Sequence, residues 1–123
     1  MISSQCMSLT SYSSKLKGKY ISRQVEFDNT FNDIKLYLNE CKNTGAIIKV
    51  YYSVDDGVNW ILLKDSEATT KTVDSEFTEY YWHKDHLTPS KKLRIKIELQ
   101  TNSAIGVLTP PRCKKLIVIA KTI

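Results

Sequence analysis

Along this chain apolar side chains recur at every second position, and the cleanest run is Leu93, Ile95, Ile97 and Leu99 with Lys92, Arg94, Lys96 and Glu98 interleaved. Successive side chains of a strand point to opposite sides, so this segment predicts one aliphatic face and one charged face. Such a strand belongs to an antiparallel sheet with a core on one side and water or a partner on the other. Ile34, Leu36 and Leu38 alternate in the same way, as do Ile48, Val50, Tyr52 and Val54. Shorter candidate strands cover 20–27, 60–64, 76–83 and 115–120.

Turn-forming residues separate these runs: Asn43 to Gly45, Asp55 to Gly57, Thr88 to Ser90, and Pro110 with Pro111. No segment keeps a 3.6-residue apolar period over three turns, and a helical turn fits only at 28–33 or 83–87. The expected fold is therefore all-β: an antiparallel β-sandwich, jelly-roll-like, of about seven to eight strands.

The first seventeen residues break the pattern. Serines stand at positions 3, 4, 8, 11, 13 and 14 with scattered apolar side chains between them. Residues 1–17 thus read as an extended polar N-terminal arm ahead of a sandwich domain at 18–123. Such a segment buries too little to offset its ordering entropy, so it gains order only against a neighbouring subunit, the expected candidate, or the module's own sheet edge. At the other end Leu116 to Ala120 is apolar on both faces. This predicts either a strand buried in the middle of the sandwich, or one whose outward residues Ile117 and Ile119 are covered by another subunit.

Composition adds bounds. A chain of 123 residues has the size of one domain, and 41% hydrophobic with 25% charged residues is ordinary for a globular fold. The net charge of +5 comes from 18 Lys and Arg spread along the chain, which attracts acidic surfaces without indicating nucleic-acid binding. Cys6, Cys41 and Cys113 form no C-x-x-C pair, the pattern of reduced cytoplasmic thiols. Neither a signal peptide nor a membrane-spanning apolar run is read from the sequence.

Ser53, Asp55, Gly57 and Trp60 fit the S-x-D-x-G-x-x-W pattern called the Asp-box, known from sialidases. It is a hairpin device: Ser and Asp bond the turn backbone, Gly takes a positive φ, and Trp packs underneath. A sialidase repeats it on several propeller blades and adds paired catalytic groups, whereas this chain has one copy and no carboxylate pair to assign. His83 and His86 would need a helix and a third ligand to hold a metal, and a polar turn explains them more simply. There is no G-x-S-x-G, and Gly18, Gly45, Gly57 and Gly106 stand too far apart for a phosphate loop. No catalytic role, metal or cofactor is expected.

Three consecutive aromatics, Tyr80, Tyr81 and Trp82, must place at least one ring away from the core if they lie on a strand. Outward rings serve protein interfaces and sugar platforms. The basic stripe Lys92, Arg94, Lys96 is ordinarily a solvated face, and becomes an electrostatic match where an acidic neighbour lies across from it.

With the strands placed, one order becomes recognisable. Tyr20-Ile21-Ser22-Arg23 opens a strand, Ile48-Lys49-Val50-Tyr51-Tyr52 follows, and Leu93-Arg94-Ile95-Lys96-Ile97 and a Pro110–Pro111 turn precede a hydrophobic last strand. From about Tyr20 onward this resembles β-sandwich modules of bacteriophage tail and baseplate proteins. The resemblance implies a structural virion component, assembled in the host cytoplasm, that attaches to or decorates a tail, baseplate or neck among other virion proteins, and it carries over no catalytic residues. The alternative is a carbohydrate- or receptor-binding module using Tyr80, Tyr81 and Trp82. Rings that point outward in one plane favour sugar, and rings buried or covered by protein favour the structural role.

Overall fold

The structure is a computed structural model that describes residues 2–3, 7–8, 16–42, 46–101 and 111–123, with side chains described in 19–42, 46–100 and 111–123. Among the described residues ten strands follow one another: β1 (Ile2–Ser3), β2 (Met7–Ser8), β3 (Leu16–Ile21), β4 (Val25–Cys41), β5 (Ile47–Ser53), β6 (Ile61–Leu63), β7 (Thr69–Thr72), β8 (Thr78–Lys84), β9 (Ser90–Thr101) and β10 (Arg112–Thr122). A single turn of 3-10 helix, Asp65–Glu67, links β6 to β7. Every pairing is antiparallel, so the chain is all-β as the alternation predicts.

Two long ribbons organise the molecule. β3 and β4 run in succession beside β9 and then β8: Leu16–Ile21 pair with 101–96, Val25 with Leu93, Phe31 with Ser90, and Ile34–Glu40 with 84–78. Between β3 and β4, Ser22 keeps the ladder continuous. Its backbone N–H donates to the Ile95 carbonyl and its hydroxyl accepts from the Ile95 N–H, both at 2.9 Å. At one end β10 adds to β4 and β7 to β8; at the other, β5 adds to β9 and β6 to β5. In place of the separate sheets expected of a sandwich, hydrogen bonds through β4 and β9 make one continuous sheet that curls into a half-barrel; its part around β10, β4, β8 and β7 is the first layer below and its part around β3, β9, β5 and β6 the second.

The inner face closes on one core. Ile34, Leu36, Leu38, Trp82, Leu116 and Val118 of the first layer meet Ile48, Val50, Tyr52, Leu63, Leu93, Ile95, Ile97 and Leu99 of the second, with Phe31 at the bend. Trp82 satisfies its one polar atom by donating from Nε1 to the Lys64 carbonyl at 2.8 Å, tying β8 to the end of β6.

Several local expectations are revised. The strand expected at 20–27 is divided between the end of β3 and the start of β4, with 22–24 in neither, and β4 runs on through 28–33 into 34–38, where no helical turn forms; the ladder absorbs the polar residues as an irregularity between Glu26 and Phe31. β7 has no counterpart among the expected strands because all four of its residues are exposed, which leaves no alternation to read. The boundary expected between 17 and 18 falls inside β3. The described parts of 1–17 pair with the chain's own β10 and β9, whose edges offer unpaired backbone groups.

Candidate functional site

The Asp55–Gly57 turn is held by its own side chains. The Ser53 hydroxyl donates to Asp55 Oδ1 at 2.7 Å and accepts from the Gly57 N–H at 2.8 Å. Asp55 accepts from the Asn59 backbone N–H at 2.9 Å and from Asn59 Nδ2 at 2.6 Å. These bonds, the Asn59 N–H first and Ser53 next, hold the Asp55 carboxyl below its usual range. Asp56 and Gly57 take φ of 61° and 86°, and Val58 N–H returns to the Asp55 carbonyl at 3.3 Å. Positive φ at both central residues is the hairpin-type solution that Asp-Gly supports. Asn59 is the member that the motif pattern does not name.

The turn reaches onto the outer face of the second layer. Asp56 Oδ1 accepts from Arg94 Nε at 2.8 Å. Lys96 Nζ lies 4.3 Å from the Tyr51 ring centre and 4.8 Å from that of Trp60. The Tyr51 hydroxyl donates to Glu98 Oε1 at 2.9 Å, and burial together with this carboxylate raises its pKa. Leu93, Ile95, Ile97 and Leu99 are buried while Lys92, Arg94 and Lys96 face outward, so part of the basic stripe finds its partners within the chain.

The aromatic triplet is divided between two faces. Trp82 is in the core and Tyr80 stacks against it at 5.8 Å, whereas Tyr81 points outward and stacks on Tyr37 at 4.7 Å. The three rings therefore do not form one platform. His83 bonds Asp33 at 2.9 Å and His86 lies beside Asp85, so the two imidazoles serve different partners.

On the outer face of the first layer the register aligns Ile117, Tyr37, Tyr81 and Thr69 across β10, β4, β8 and β7. Ile117 and Ile119 are 38% and 44% exposed, while Leu116 and Val118 are buried. A strand covered on both faces by its own chain is thereby corrected: among the described residues nothing buries Ile117 and Ile119 on the outer side of β10. A bulge between Lys114 and Ile117, with Lys115 at φ 55°, inserts one residue opposite β4. It turns Leu116 into the core and leaves Lys115 outside. Beside this row lies a groove of about 630 Å³, lined by Tyr37, Ile117 and Ile119, by Lys71, Thr72 and Val73, and by Asn39, Glu79 and Lys115.

One buried ionisable group escaped sequence reasoning. Glu40 follows Leu36 and Leu38 on the inner side of β4 and is 2% exposed. Lys42 Nζ stands 3.4 Å from Glu40 Oε1 and 2.8 Å from Asp65 Oδ2. Among the described residues neither Glu40 oxygen receives a hydrogen bond. Burial, with Asp65 adding to it and Lys42 opposing, pushes the carboxyl up to about 8. Burial alone would lower Lys42, but Asp65 and Glu40 outweigh it and hold the ammonium above its usual pKa.

No protein-family profile, curated protein or solved structure matches this chain.

Proposed function

We propose that the chain is a structural virion component, a β-module that attaches to or decorates a phage tail, baseplate or neck by the outer face of its first layer. The observation that carries this reading is the exposed pair Ile117 and Ile119 beside Tyr37 and the adjoining groove. Isolated apolar residues on a surface need no explanation, but two aliphatic side chains contiguous with an aromatic and a concavity have the character of an interface. The order of strand motifs from Tyr20 to the last strand, which resembles tail and baseplate modules, supplies the kind of assembly.

Particles produced from the genome that encodes the chain are the material for the test. Quantitative mass spectrometry of gradient-purified particles is expected to find the chain at a fixed ratio to the other structural proteins. An I117K/I119K variant is expected to fold, with an unchanged melting temperature, and to be missing from the particles. Absence of the native chain from purified particles, or normal incorporation of the variant, refutes the proposal. The carbohydrate- or receptor-binding alternative loses the Tyr80–Tyr81–Trp82 platform and would rest on Tyr81 with Tyr37.

A further inference from the structure

The outer face of the second layer, on the other side of the molecule's core from Ile117 and Ile119, has its own organisation. The strand registers place Ile21, Lys96, Tyr51 and Leu62 in one row across β3, β9, β5 and β6, and Lys19, Glu98 and Lys49 in the next. Ile21 and Leu62 are exposed at the two ends of the first row. Lys96 at its centre is held over Tyr51 and Trp60, so a cation that would otherwise sample many rotamers has a defined position.

Charge on this face is unbalanced. Five cations, Lys19, Lys49, Lys92, Arg94 and Lys96, stand with three carboxylates, Glu26, Asp56 and Glu98. Asp56 is engaged by Arg94 and Glu98 by the Tyr51 hydroxyl. Among the described residues Lys19, Lys49 and Lys92 make no ion pair. Glu26 stands across from Lys92, and Glu98, still anionic, between Lys19 and Lys49, so the face keeps a positive excess of two charges around an aromatic centre.

We propose that this face docks a protein partner that presents carboxylates among apolar side chains. Charge complementarity requires an anionic partner. Two features select protein over nucleic acid. Lys96 already occupies the space over the Tyr51 and Trp60 rings on which bases would stack, and Ile21 and Leu62 gain nothing from a sugar-phosphate backbone. Trp, Tyr and Arg with interspersed aliphatic residues is the composition of protein-interface centres. The inference concerns a different surface from the proposed attachment face and stands independently of it.

The test uses the full chain with three probes: a short peptide of interspersed Glu and Leu, its counterpart with Lys in place of Glu, and an oligothymidylate. Binding is followed by tryptophan fluorescence and by backbone amide resonances. The Glu peptide is expected to bind saturably, with resonance changes centred on Tyr51, Trp60 and Lys96, and to weaken as salt is raised. Lys96→Met preserves the aliphatic packing on the rings and is expected to weaken binding roughly tenfold. Should that variant melt below the native chain, a K19Q/K49Q variant, which leaves the aromatic centre untouched, is expected to weaken binding in the same direction. No binding of the Glu peptide, equal binding of the Lys peptide, tighter binding of the oligothymidylate, or full affinity in the folded variants overturns the proposal.

Discussion

Replacing Glu40 by Gln removes a buried ionisable group while keeping nearly the same volume. In the folded chain the carboxyl titrates at about 8 against an ordinary value of 4.5, because burial penalises the anion more than Lys42 favours it. The folded state therefore holds its proton more tightly than the unfolded state does. Below 4.5 the group is neutral in both states and adds no cost; as pH rises toward 8 the unfolded chain ionises first and stability is lost. A tenfold change in proton affinity corresponds to about 1.4 kcal/mol, so the interval from 4.5 to about 8 amounts to about 4–5 kcal/mol, an upper figure since Lys42 and the surrounding backbone can relax. Even half of that is a large part of an ordinary domain's stability.

Urea unfolding followed by tryptophan fluorescence, at several pH values between about 5 and 8.5, measures the effect as a difference between the native chain and the variant. The difference removes the contributions of every other group, which both proteins share. Near pH 5 the two are expected to be of similar stability; near pH 8.5 Glu40→Gln is expected to be more stable by about 2–5 kcal/mol. A difference that does not change with pH refutes the burial argument. One that grows as pH falls means that Lys42 dominates and the carboxyl is ionised in the fold.

Two further predictions concern the second layer. Gly57→Val forces a β-branched residue to φ 86°, and because an added Cβ would stand 3.4 Å from Trp60 Cζ2, the cost lies in the backbone rather than in a severe clash; a loss above about 1 kcal/mol in thermal unfolding is expected. Ile95→Ala opens the centre of the core and should cost about 2–5 kcal/mol, whereas Arg94→Ala removes a partly exposed pair with Asp56 and should cost about 0–1 kcal/mol, both read by urea unfolding.

Alternation was legible wherever one face of a strand is buried, because burial is what selects apolar side chains at every second position. Leu93 to Leu99 and Ile34 to Leu38 carry that selection. Thr69 to Thr72 carries none, since an exposed edge strand asks only for residues compatible with extended backbone. Asp28, Asn29 and Thr30 read as a break because their side chains are polar, yet strand pairing depends on the backbone, and β4 continues through them. The division of Tyr80, Tyr81 and Trp82 between two faces followed from strand periodicity, but which of them faces inward depends on the register with Leu38, Tyr37 and Leu36 of β4. Glu40 was hidden for the opposite reason: it sits at an inward position of an alternating strand, where a charged residue reads as the point at which the buried run has ended.

The bulge in β10 shows how one inserted residue decides what the first layer displays. Lys114 lies opposite Asn39 and faces outward, so strict alternation would turn Lys115 inward opposite Leu38 and reverse every residue after it. Ile117 and Ile119 would then enter the core, and Leu116 and Val118 would face solvent. The extra residue, accommodated by the positive φ of Lys115, prevents the burial of an ammonium group and restores the phase of the strand. It also presents Ile117 opposite Tyr37 and beside the groove. Both layouts place two aliphatic residues on the outer face, because the sequence from Leu116 to Ile119 is apolar at consecutive positions. An exposed aliphatic pair is thus unavoidable for either phase, and the bulge selects which pair is shown. The apolar character of the outward face of β10 is thus set by the sequence and its position by the bulge, and this is the face through which we propose that the chain attaches to another protein.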